Sequence, residues 1–179
     1  MAPFLGLIRR GGKYSGAVFD EDTRFRYLLW RQLTTVTPER VCLFIGVNPS
    51  TADERINDNT IVACFTFAKA WGYSMYLMAN VFAYRSTNPK MLYPYNRAPD
   101  SDIIGRFNNA MILGSADRAE LIVCAWGKHG TLDDRDKDVM KLLEPNAAKL
   151  RCLGVNKDGT PVHPLYQPRD RQHIPYTGR

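Results

Sequence analysis

The chain has 179 residues, 45% hydrophobic and 23% charged, the length and composition of one globular domain with enough apolar residues for a core. Its 24 basic and 18 acidic residues leave a net charge of +6, a surplus that favours anionic partners such as nucleic acid or nucleotides without requiring them. No apolar run approaches the roughly 18 residues of a membrane span, and the opening MAPFLGLIRRGG puts its apolar residues before its charges, the reverse of a secretory signal.

Residues 15–32 predict a hairpin turning at Asp20–Thr23 and then a helical start. RVCLFIGV (40–47) is an unbroken apolar run ended by a turn, the pattern of a strand covered on both faces. Residues 58–73 carry apolar positions at helical spacing and stop near Gly72. Residues 74–84 predict a second buried strand, 101–117 a helix, 119–127 a third strand, 132–145 a helix stopped by Pro145, and 148–156 a fourth strand before a Pro-rich, extended tail. The alternation points to a single α/β domain over 1–179, with a mostly parallel central sheet of about four strands and an N-terminal hairpin. Cys42, Cys64, Cys124 and Cys152 are widely spaced and without a close His. They read as reduced core residues of a cytoplasmic protein, not metal ligands. No metal and no cofactor is expected, and the phosphate-loop, dinucleotide and HExxH patterns are missing.

In such sheets ligands bind beyond the carboxyl ends of the strands, so the residues there carry the functional argument. Asn48, in GVNPSTAD, can orient a water through its amide oxygen, or it can be a turn residue with Ser50 or Thr51 capping a helix. Asn80, in YLMANVFAYR, can read a base edge with paired donor and acceptor, or bond its own backbone. His163, held beside Pro164, can donate to a leaving group or a phosphate, or face solvent. Lys128 and His129 follow the third strand between glycines and can meet phosphate. Tyr84, Arg85, Arg97, Arg169 and Arg171 mix aromatic and cationic character, which suits nucleic acid, although isolated surface arginines are common. Asp53 and Asp58 are candidate general bases or metal ligands, or they belong to a solvated loop in which Asp58 caps the helix that follows.

Taken together, RFRYLLWR, GVNPSTAD, NDNTIVACFTFAKAWGY, NVFAYRSTNPKML, IVCAWGKHG and LRCLGVNKDGTPVHPLY resemble domain of unknown function 1643 nearly end to end. More distantly, the order of landmarks resembles the uracil-DNA glycosylase superfamily. GVNPS is similar to its first-strand motif, NVFAYRSTNP to its base-reading stretch, and His163-Pro164 to its late His-Pro motif. That likeness implies a three-layer α/β/α domain with Asn48 and His163 as catalytic groups, Asn80 and Tyr84 at the base, and Ser50, Arg85, Lys128, Arg169 and Arg171 at phosphates. Ala83 stands where one branch has a cluster cysteine, so no iron–sulfur cluster is implied. DERINDNT has no aromatic where the superfamily places its stacking ring, so the implied substrate is an unusual or modified base. The expected activity is N-glycosidase hydrolysis of such a base in DNA or a nucleotide. The alternative is a non-catalytic reader of a modified base, nucleotide or DNA.

Overall fold

The structure, a computed structural model, describes residues 6–36, 38–93 and 101–179, so Arg97 lies outside it. Eight strands form one sheet: β1 (Leu7–Gly11), β2 (Ser15–Asp20), β3 (Arg26–Gln32), β4 (Val41–Gly46), β5 (Met75–Asn80), β6 (Leu121–Cys124), β7 (Leu150–Cys152) and β8 (Ile174–Pro175), in the order β1-β2-β3-β5-β4-β6-β7-β8. Among the described residues the α-helices are α1 (Asn59–Ala70), α2 (Asn108–Arg118) and α3 (Arg135–Leu142).

The four strands expected from apolar runs, β4, β5, β6 and β7, are present and mutually parallel. The expectation of a mostly parallel, four-stranded sheet is corrected, because four of the seven pairings are antiparallel. β3 continues the sheet from the edge of β5, and β8 covers the edge of β7. Each would otherwise leave a row of unpaired backbone groups. The predicted hairpin is β2–β3, but the expected helical start is strand β3. Its two arginines, Arg26 and Arg31, are buried.

Alternate residues of the parallel strands enter two apolar cores, as the two-residue period of a strand requires. Leu43, Ile45 and Leu77 join Ile112, Ala116 and Val139 of α2 and α3. Cys42, Phe44 and Tyr76 join Ile61, Cys64 and Phe67 of α1. The chain order explains the split. The path from β4 through α1 steps to β5, and the path from β5 through α2 steps back past β4 to β6. Connections of one hand in opposite directions put their helices on opposite faces.

Asp58 caps α1 by accepting from the Ile61 amide at 2.9 Å; Ser50 and Thr51 lie too far upstream to cap it. α2 starts later than expected because Asp102 Oδ1 accepts from the Ile104 and Gly105 amides and Gly105 takes φ +83°, which a continuing helix does not allow. All four cysteines are free and buried. Among the described residues, no helix is long and apolar enough to cross a membrane, and no cluster of His, Cys, Asp or Glu has metal-binding geometry.

Candidate functional site

Because β4, β5, β6 and β7 are parallel, their last residues share one edge of the sheet, and β4 is where the connections reverse direction. A crevice of about 890 Å³ opens there. Gly46, Val47 and Asn48 enter it from β4, Asn80 from β5, Trp126 to His129 from the segment after β6, and His163, Leu165, Tyr166 and Gln167 from the tail. The N-terminus of α1 supplies Asp58 to Ile61, and β3 contributes Arg26.

Asn80 is the most unusual of these residues. It is 1% exposed, and neither Nδ2 nor Oδ1 of its carboxamide has a protein partner among the described residues. Its backbone, by contrast, is fixed: Asn108 Nδ2 donates to the carbonyls of Asn80 and Val81, each at 3.0 Å, and Arg135 Nε donates to that of Val81 at 2.9 Å. The paired position on β4 is Gly46, where a methyl group would lie 3.0 Å from Asn80 Oδ1. The strand end thus holds the amide rigidly and leaves both its polar atoms unsatisfied, an arrangement that costs about 1–3 kcal/mol per orphaned group without a ligand.

Asn48 uses its amide nitrogen to hold the loop, donating to the carbonyls of Ser86 at 2.7 Å and Pro49 at 3.0 Å. Its Oδ1 accepts from no protein group among the described residues, so that oxygen is left for the crevice. His163 accepts the Leu165 amide at Nδ1, 3.3 Å, capping the 3-10 turn Pro164–Tyr166. A backbone donor at Nδ1 puts the proton of the neutral ring on Nε2. Burial lowers the pKa of His163 below the usual range, partly offset by the charge of Asp58, so at neutral pH the ring is an uncharged donor.

Two arginines of β3 are buried, and Arg26 lines the crevice. Arg26 is 1% exposed and donates to the Ala52 carbonyl at 2.7 Å, leaving Nε unpartnered. Burial brings its pKa down to about 10, opposed by Asp58 and Tyr76, so it stays charged. Arg31 donates to the Asp53 carbonyl at 2.5 Å, to Asn57 Oδ1 at 2.9 Å and, more weakly, to the Ile56 carbonyl at 3.5 Å, fixing the segment between β4 and α1. Sequence reasoning missed both. Nothing in RFRYLLWR signals that its arginines are buried.

Several expected residues lie elsewhere. Tyr84 does not line the crevice; it pairs with Phe25 in a bridge and an edge-on ring contact. Arg85 donates to the Thr23 carbonyl and lies over the Phe19 ring. Asp53 is a turn residue. Burial works against its charged form, but amide bonds from Ile56 and Arg55 and the charges of Arg31 and Arg85 hold its pKa below the usual range. Arg169 and Arg171 are exposed and outside the lining, bonded to the Pro164 carbonyl and to Gln167. Ser50 and Lys128 do line it. So does Tyr166, 82% exposed, an aromatic the sequence offers in a different place from the stretch after Asn48. Trp126 presents a buried indole N–H with no partner among the described residues.

A family model described as protein of unknown function (DUF1643) matches residues 26–165. No curated protein and no solved structure matches the chain.

Proposed function

The chain belongs to the DUF1643 family, and from that premise we propose that its crevice binds a nucleobase, in DNA or a nucleotide, and hydrolyses the bond joining an unusual or modified base to its sugar. The observation that carries this reading is the buried, unpartnered carboxamide of Asn80. A donor and an acceptor fixed side by side match the paired acceptor and donor of a base edge, and a bound base would supply what the protein withholds. The remaining groups suit the chemistry. Asn48 Oδ1 holds a water beside the sugar carbon. The transition state of such a cleavage resembles an oxocarbenium ion and needs little push from the nucleophile, so positioning contributes much of the rate. The Nε2–H of His163 stabilises charge that develops on the departing base.

The fold reading accompanies it. We liken the parallel strands β5-β4-β6-β7, with α1 on one face and α2 and α3 on the other, to the three-layer arrangement of uracil-DNA glycosylases. The four free cysteines suit a reducing compartment, the cytoplasm.

A second reading, a reader that binds the base without cleaving it, draws on one observation. The amide nitrogen of Asn48 is spent on the Pro49 and Ser86 carbonyls, as in a turn residue. A release assay separates the two. The protein is incubated with oligonucleotides and nucleotides that each carry one deaminated, oxidised or alkylated base, and free base is measured beside binding. Release of one base supports hydrolysis, and binding without release supports the reader.

A further inference from the structure

Asp58 has a second feature besides its cap. One carboxylate oxygen accepts the Ile61 amide. The other, Oδ2, has no protein partner among the described residues, and Asp58 lines the crevice. Among the described residues no other Asp or Glu lines it. The same crevice holds polar groups that lack partners among the described residues: buried Asn80, the Nε of Arg26 and the indole N–H of Trp126. An ordinary cap faces solvent, whereas this one is half-buried among groups that await a ligand.

We propose that Asp58 is the catalytic base of the crevice, taking the proton of the water that Asn48 holds. The proposal rests on the hydrolytic reading above. The water oxygen bonds to the anomeric carbon as the carbon–nitrogen bond breaks, and that bond's electron pair leaves on the base. The water's proton passes to Asp58 Oδ2. The base departs as an anion, held by His163 Nε2–H and Asn80 Nδ2–H, and is protonated by solvent, while Asp58 returns its proton to solvent. The carboxylate's negative charge also stabilises the positive charge that builds on the sugar. Asn48, being neutral, can place the water but cannot accept its proton, so the two residues divide the task.

The cap makes the test clean. Asparagine caps a helix about as well as aspartate, so Asp58→Asn removes the charge and keeps the helix start. Asp58→Ser keeps a cap too and guards against an effect peculiar to one variant. Both are compared with the parent in two measurements.

The first needs no substrate: the protonation midpoint of His163 followed by NMR. The other ionisable groups close to Asp58 are Arg26 of β3, Tyr76 of β5 and Cys64 of α1, and the variants leave all of them in place. Asp58 supports the charged form of His163, so its loss should move the midpoint downward. An unchanged midpoint overturns the proposal, because the carboxylate then does not face the crevice.

The second is single-turnover release across the panel of modified oligonucleotides and nucleotides. A positioned general base contributes about 10²–10⁴-fold, so release by both variants should slow by that range with binding retained. Release at the parent rate overturns the role of Asp58 and leaves the hydrolytic reading standing. A parent that releases nothing from the panel overturns both.

Discussion

Asn48 and Asn80 have the same side chain, and the structure gives them different work. Asn48 spends its nitrogen on two carbonyls and keeps one oxygen open, while Asn80 keeps both polar atoms unsatisfied in a buried setting. Asn80→Ala should therefore weaken binding of a base-bearing ligand and blur the choice among bases. A contact made before the reaction and during it appears in affinity. Because the replaced amide has no protein partner, removing it leaves no group orphaned, and the variant should melt no lower than the parent. Parallel titrations and thermal melts check this. A variant that binds all bases as the parent does would return Asn80 to a structural role. Asn80 and Asn48 were legible in the sequence because both stand where an apolar run stops. Arg26 was not, since a charged residue in RFRYLLWR gives no sign that it will be 1% exposed. Its burial depends on the Ala52 carbonyl, which reaches it only through the tertiary fold.

At the scale of elements, β4 to β7 could be read because strands covered on both faces are continuously apolar. β1 and β8 could not. LIRRG and a two-residue edge strand carry no period, and their pairing is set by neighbours far along the chain. β3 was misread for a related reason: its arginines break the apolar pattern while filling an internal role. Arg31 donates to the Gly16, Trp30 and Asp53 carbonyls and to Asn57, linking β2 to the segment that delivers Asp58 to the crevice. Arg31→Ala leaves those acceptors unpaired and should lower stability by about 3 kcal/mol, since hydrogen bonds to charged groups contribute about 1.5–3 kcal/mol and several are lost together. Urea denaturation measures it. A loss within a few tenths of a kcal/mol would mean that the loop holds itself, through the bonds of Asp53 to the Arg55 and Ile56 amides.

For the whole molecule, the three histidines are coupled to folding in one direction. His129, His163 and His173 all have pKa values lowered by burial first. Lys128 and Lys90 add to this for His129, and Arg151 for His173. A histidine with a lowered folded pKa binds its proton more readily when unfolded. The unfolded state then takes up more protons as pH falls, and stability falls with it. The contribution is complete above the ordinary histidine pKa of about 6.5 and is lost as pH drops below that value toward the lowered folded values. Melting temperatures between pH 7.5 and 5.5 should decline, and His163→Gln should flatten the decline. A profile unchanged by that substitution would mean that His163 is solvated. Hydrolysis in the crevice is tested most directly by single-turnover base release by the parent and by Asn48→Ala, with binding measured on the same samples. The parent should free one base from the panel. Asn48→Ala should bind that ligand nearly as well and release it about 10²–10³-fold more slowly, the usual cost of losing a positioned polar group. Release by Asn48→Ala at the parent rate would contradict a water held by Asn48, and a parent that binds a modified base and never frees it would contradict hydrolysis.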